Sequence, residues 1–206
     1  MTMEKFAVLK GIAAPLMVPN IDTDRIIRIE PCAGVPRERQ GEYLLEMMRL
    51  RPDGSENPDF VLNRPPFRKA KILLAAENFG CGSSRENAVW ALMGWGLRCV
   101  IAASFGDIFA GNCFQNGMLP LRLPAATVER LAADIETDAR NATLTVDLER
   151  QQIVTAAGES IDFEVEPLRR RMLLEGLDEI GLTLQHEAEI AAFRRRDRAA
   201  RPWLYG

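Results

Sequence analysis

KILLAAENFGCGSSRENAVWALMG, residues 71–94, runs from a short apolar segment through a glycine- and serine-rich turn into a helix-forming stretch. The same alternation repeats downstream. It predicts a strand over 71–76, a helix from about Ser84 to Gly94 and a strand over 98–103, then a turn at Ser104, a helix over 105–116 and a strand over 119–123. Apolar runs that alternate with helices imply parallel strands joined by right-handed crossovers, because a parallel neighbour can be reached only by a long connection. The fold class expected is therefore α/β.

Outward from this unit, residues 6–16 read as a strand entering the core, and VPNIDTDRII (18–27) as a Pro/Asn/Asp turn followed by apolar chain. Residues 37–50 have a helical look. RPDGSENPDFVLNRPPF (51–67) holds four prolines and a glycine and reads as a long excursion, hence a candidate functional loop. After a helix near 127–136, the stretches ATLTVDL, QQIVTAA and ESIDFEVE are short strands between polar turns, and two helices follow. The expectation is one domain over 1–206, with a β-rich side and a C-terminal helical extension over 167–206.

The 206 residues carry a net charge of -3, yet FRRRDRAARP (193–202) is strongly basic. No basic patch with aromatic interleaving recurs, so this reads as a solvated or partner-facing surface and no nucleic-acid role is expected. No secretory leader pattern and no apolar run of about 18 residues is present, which points to a cytoplasmic protein with no membrane partner. Cys32, Cys81, Cys99 and Cys113 are scattered without a C-x-x-C, and His186 is the only histidine. That inventory supplies neither a zinc site nor a three-cysteine iron-sulfur motif, so no metal is expected on this chain.

The turn after the 71–76 strand can hold negative charge, because a helix start gathers unpaired N–H groups at the positive end of its dipole. Ser83 or Ser84 suits a helix cap, with Glu86 or Asn87 as a capping-box partner. A Walker loop would need Lys before Ser or Thr, and a dinucleotide fingerprint a third glycine beside Gly80 and Gly82; neither is present. A Ser-His-Asp triad would need His186, which lies in the C-terminal helical stretch TLQHEAEI. A further reading uses both serines and the arginine: N–H groups stabilise a serine alkoxide acting as base, and Arg85 clamps a substrate carboxylate.

NFGCGSSRENAVWAL (78–92), together with NIDTDRII (20–27), ASFGDIFAGNCFQNGMLPL (103–121) and GLDEIGLTLQHEAEI (176–190), resembles the small-subunit family of 3-isopropylmalate dehydratases, in the aconitase superfamily. The resemblance runs in order over nearly the whole chain. It implies the swivelling β/β/α domain of that superfamily, made as a separate polypeptide, and a heteromeric hydro-lyase of leucine biosynthesis that interconverts 2- and 3-isopropylmalate. It also implies a large-subunit partner that holds a 4Fe-4S cluster, none bound by this chain, and a small dicarboxylate substrate. Residue by residue, Ser83 matches the superfamily's alkoxide base, Ser84 and Arg85 match carboxylate binders, and Asp22, Thr23 and Asp24 match the D-T-D segment facing the shared site. An Asx-type turn is the structural reading of that segment. Ser104 and Asp107 read as helix caps, and Cys81 as a small residue required by close packing.

Two positions depart from the family pattern. Asn87 stands where His is usual, and Arg28-Ile29 where Pro-Lys is common; residues 31–66 differ as well. These changes leave the reaction type alone and bear on the substrate. The alternatives are a paralogous hydratase acting on methylmalate/citraconate or dimethylmaleate, and a non-catalytic anion-binding protein.

Overall fold

A computed structural model describes residues 3–205; residues 1, 2 and 206 of the expected domain span lie outside the described residues. Seven strands form one mixed sheet in the order β4-β3-β2-β1-β5-β6-β7. β1 (Val8–Leu16), β2 (Ala70–Ala75), β3 (Cys99–Ala102) and β4 (Leu119–Arg122) run parallel, as the alternation of apolar runs and helices requires. On the other side of β1, β5 (Thr143–Asp147), β6 (Gln152–Val154) and β7 (Ser160–Asp162) continue the sheet antiparallel. The β-rich side is thus an extension of the same sheet.

Burial follows that division. Ile72, Leu73, Leu74, Cys99, Val100 and Ile101 are fully buried, as in parallel strands covered on both faces, whereas β5 alternates buried and half-buried positions because one of its faces meets solvent. α4 (Glu86–Trp95) joins β2 to β3, α5 (Asp107–Asn116) joins β3 to β4, and α6 (Ala125–Thr137) lies across β1, β2 and β3. α4 and α5 both end on a left-handed glycine, Gly96 and Gly117, which closes each helix and returns the chain to the sheet.

Between β1 and β2 the structure departs from the expected helix over 37–50. α1 (Thr23–Ile26) and α2 (Ile29–Gly34) are short; a 3-10 turn then spans Arg37–Tyr43, and α3 covers only Glu46–Arg49. The break falls at Leu45, whose backbone is left-handed at φ 48° and whose N–H donates to Ile26 O at 2.8 Å. Leu44 and Leu45 both reach the core this way, so tertiary burial overrides the helical pattern. Buried Arg49 takes up carbonyls freed by the break: its Nη2 donates to Glu42 O at 2.6 Å and its Nε to Leu44 O at 3.2 Å. Its guanidinium also lies over the Trp95 ring, 5.1 Å from the centre.

The excursion over 51–67 folds back on its own base. Asn63 Nδ2 donates to Arg49 O at 2.7 Å and to Asn57 O at 2.8 Å, so this buried amide ties the loop together. At the C-terminal end there are three α-helices rather than two: α7 (Pro167–Glu175), α8 (Glu179–Leu184) and α9 (Glu187–Ala200). α8 and α9 bury no residue, which is why their sequence lacks a continuous apolar stripe. No helix among the described residues is long and apolar enough to cross a membrane.

Candidate functional site

Three loops leave the carboxyl ends of β1, β2 and β3 and continue the parallel pairing past the sheet. Gly80 N donates to Ile21 O at 2.7 Å and Thr23 N to Cys81 O at 3.0 Å, while Phe79 N donates to Ser104 O at 3.1 Å and Gly106 N to Phe79 O at 3.0 Å. The loop after β2 is therefore held between its neighbours on both sides. Asn20 and Asn78, both left-handed, are joined by a 2.8 Å bond from Asn78 Nδ2 to Asn20 Oδ1. Asparagine tolerates that backbone region better than other non-glycine residues, which is the signal the sequence offered for this pair.

Gly80 is required here by space as well as by its φ of 72°. A Cβ at this position would run into the Phe109 ring, and one at Gly106 would run into Gly80 O. Phe109 packs edge-on against Phe79 with ring centres 5.5 Å apart, so α5 presses directly on the turn. Cys81 is half-buried with its carbonyl in the ladder, in line with the close packing expected of it.

Each residue of the D-T-D segment has a separate task. Asp22 caps α1, accepting from Arg25 N at 2.7 Å, which is the Asx-type arrangement of the structural reading. Thr23, almost fully buried, donates from Oγ1 to Ser83 O at 2.9 Å. Asp24 forms an ion pair with Arg85 Nη1. The two segments singled out in the sequence, 22–24 and 83–85, are thus side by side, although 60 residues separate Thr23 from Ser83.

The serines do not cap a helix. α4 begins at Glu86 with Arg85 at the N-cap and no side-chain capping bond, so the expected start at Ser84 and the capping box are corrected. The reason is that Glu86 and Asn87 are engaged elsewhere: Asn116 Nδ2 donates to Glu86 Oε1 at 2.7 Å, and Asn87 Nδ2 to Gln40 Oε1 at 3.1 Å. Ser83 and Ser84 are exposed, and neither hydroxyl makes a hydrogen bond among the described residues. The backbone N–H groups of residues 83–87 likewise donate to no partner among the described residues. Unpaired amides at the positive end of α4, next to Arg85, can stabilise a carboxylate or an alkoxide.

Ser104 and Asp107 also differ from the capping expectation. Ser104 Oγ accepts from Asn78 N at 2.8 Å, pinning the neighbouring loop, while Gly106 stands at the N-cap of α5 without a side-chain cap. Asp107 is nearly fully exposed, 3.7 Å from Arg122. His186, at the start of α9, is exposed with Nδ1 3.3 Å from Glu189, and takes no part in the serine turn.

Around the turn, Arg28 is engaged by Glu46 through Nε at 3.1 Å and Nη2 at 2.7 Å, beside a cleft of about 430 Å³ that Met47 and Leu50 also line. Cys32 Sγ donates to Arg28 O at 3.1 Å; burial pushes this thiol up, and the Arg85 guanidinium opposes the shift. Cys99 and Cys113 are fully buried, and burial pushes both thiols up. No group of three His, Cys, Asp or Glu side chains suited to a metal ion occurs among the described residues.

A model of the aconitase C-terminal domain matches residues 3–126, and one of the C-terminal domain of the 3-isopropylmalate dehydratase small subunit matches 179–206; a third, LeuD_N, covers 129–167. The 3-isopropylmalate dehydratase small subunit of Afipia carboxidovorans is 52% identical over 202 residues, covering 98% of this chain and 100% of the relative. The chain belongs to the 3-isopropylmalate dehydratase small-subunit family. Within that family the protein of the same description from Gluconacetobacter diazotrophicus is 54% identical over 201 residues, covering 98% of this chain and 97% of its own. A solved 3-isopropylmalate dehydratase from Methanocaldococcus jannaschii shares the fold, with a TM-score of 0.65, 23% identity and coverage of 90% of this chain and 98% of that one. The family resemblance and the aconitase-type fold expected from the four motifs are both borne out.

Proposed function

We propose that the chain is the small subunit of a 3-isopropylmalate dehydratase, a hydro-lyase of leucine biosynthesis that interconverts 2- and 3-isopropylmalate through dehydration and rehydration. The observation that carries this reading is identity of about half across nearly the whole chain to relatives bearing that description. The juxtaposition of the 22–24 and 83–85 segments supports it. Residues 1–206 are read as one domain with 167–206 as a helical extension, and the enzyme as cytoplasmic.

In this reading the partner is a large subunit that holds a 4Fe-4S cluster. The thiols of this chain fit that division: Cys99 and Cys113 are enclosed in the core, Cys32 is hydrogen-bonded to Arg28 O, and half-buried Cys81 belongs to no group of three His, Cys, Asp or Glu side chains suited to a metal among the described residues. When bound in the partner, the cluster supplies the Lewis acid for the substrate hydroxyl. This chain supplies the proton chemistry. Ser83, as alkoxide, removes the proton from the carbon beside a carboxylate; the C–H electron pair forms the double bond as hydroxide departs, and water adds back with the two positions exchanged. The unpaired amides of residues 83–87 and the α4 dipole hold Ser83 in its anionic form.

Arg85, with Ser84, orients a substrate carboxylate. Its side chain is only 19% exposed, which strengthens a two-pronged grip on a carboxylate by limiting solvent competition, and Asp24 keeps the guanidinium in place. Asp22 and Thr23 shape the loop that borders the substrate. Reconstitution with a cluster-bearing large subunit, assayed against 3-isopropylmalate, citraconate and dimethylmaleate, tests the proposal. Turnover of 3-isopropylmalate by the pair and not by this chain alone is the expected result; turnover by the chain alone, or preference for either other acid, would overturn it.

A further inference from the structure

α4 carries the serine turn at its start, yet no side chain caps it. Two buried amides from distant parts of the chain hold it instead. Asn116, the last residue of α5 and 6% exposed, uses all four of its hydrogen-bonding positions. Its Nδ2 donates to Glu86 Oε1 at 2.7 Å and to Asn112 O at 2.9 Å; its Oδ1 accepts from Arg37 Nη2 at 2.8 Å and from Trp90 Nε1 at 3.0 Å. Glu86 and Trp90 are one turn apart on one face of α4, so a single carboxamide grips the first turn of the helix twice. Arg37 also lies over the Trp90 ring, 5.0 Å from its centre.

On another side, Gln40, 2% exposed, accepts from Asn87 Nδ2 at 3.1 Å and donates to Val35 O at 3.1 Å. Gly41 and Gly94 bring the 3-10 turn and α4 together backbone to backbone, leaving no room for a Cβ at either position. The two residues that follow Arg85 are therefore each fixed by a buried amide, one from α5 and one from the 3-10 turn.

We propose that Asn116 and Gln40 are positioning residues for the reaction: they set the start of α4, and through it the placement of Arg85 and the serine turn. The inference rests on the reading of Ser83 and Arg85 as the substrate-facing groups. Asn116→Asp keeps the size of the side chain while turning a carboxylate toward Glu86. In the reconstituted heteromer it should raise KM and lower kcat, with a combined loss in kcat/KM of about tenfold to a hundredfold, the scale that small misplacements of a binding group produce. Adding Glu86→Gln restores a donor opposite the new acceptor and should recover most of the loss.

Wild-type kinetics in Asn116→Asp, or a loss that Glu86→Gln does not repair, would overturn the proposal. Should Asn116→Asp fail to fold, Asn87→Ala breaks the second tether from a less buried position; a severalfold loss in kcat/KM supports the inference and an unchanged value overturns it. Arg85→Lys, measured alongside, separates the two claims. Full activity in that variant removes the underlying site reading, whereas a loss of about tenfold or more in Arg85→Lys with normal kinetics in Asn116→Asp removes only the tether.

Discussion

The Thr23 hydroxyl donates to the Ser83 backbone carbonyl at 2.9 Å, across 60 residues of chain. Thr23 is buried, whereas Ser83, whose carbonyl accepts the bond, is exposed, so water can replace the hydroxyl there. Thr23→Val should therefore cost about 0.5–1.5 kcal/mol, the net worth of a typical intramolecular hydrogen bond, while Thr23→Ser should retain most of the stability. Urea unfolding of the two variants measures the difference, and kcat of the reconstituted enzyme should fall with the valine variant.

Ser83→Ala separates a catalytic hydroxyl from a capping one. A cap removed costs typically about 1 kcal/mol. Here the hydroxyl is exposed and makes no hydrogen bond among the described residues, so the unfolding free energy should stay within about 0.5 kcal/mol of the parent. Turnover should fall by about 10²–10⁴-fold, the usual contribution of a general base. Steady-state kinetics and urea unfolding of the same preparation check both halves.

Arg85→Lys keeps the charge and loses the planar fork. A fall of about tenfold or more in kcat/KM is expected, since a bond to a charged group is worth about 1.5–3 kcal/mol. Asp24→Asn removes the other half of the ion pair. Asp24 is 56% exposed, so its loss should change stability by less than about 1 kcal/mol, as read by thermal unfolding.

Gly80→Ala tests the seating of the turn. The added methyl meets the Phe109 ring on a backbone that is already left-handed, and the combined strain should destabilise the protein by about 2–4 kcal/mol. Calorimetry of the variant gives the shift in Tm; a change too small to detect would mean that α5 yields easily.

Thiol labelling follows burial. Cys99 and Cys113 are enclosed and their pKa values are pushed up, so neither should react with iodoacetamide until the chain unfolds. Cys32 is half-buried with its pKa raised by desolvation, and its labelling should need more alkaline pH than a free thiol. Mass spectrometry of native and unfolded samples distinguishes the sites.

The parallel half of the sheet was legible because its strands are continuous apolar runs and its helices end on glycine, two local signals that agree with the tertiary structure. The segment 37–50 was not, because the left-handed break at Leu45 is imposed by burial of Leu44 and Leu45 and leaves no turn signature in the sequence. The site divides in the same way. Residue types singled out 83–85 and read 18–27 only as a turn, and the resemblance alone made 22–24 site candidates; the bonds from Thr23 to Ser83 and from Asn116 to Glu86 are non-local and have no local pattern. The serine caps failed because the carboxylate and amide that would complete a capping box are bound to Asn116 and Gln40.

β1 has β2 on one side and β5 on the other, with Leu16 beside Ala75 and Val8 beside Asp147. Chain order turns this into a matter of timing. During synthesis, β1 gains its parallel neighbour once residue 75 is available and its antiparallel one only after residue 147, so one edge of β1 stays open while α4, α5 and α6 are being made. An open strand edge invites pairing with the wrong chain. The strand that leads directly into the D-T-D loop is thus enclosed only after β2 and β3, which follow it in the chain, and a nascent chain that stalls before residue 143 presents that edge to its surroundings.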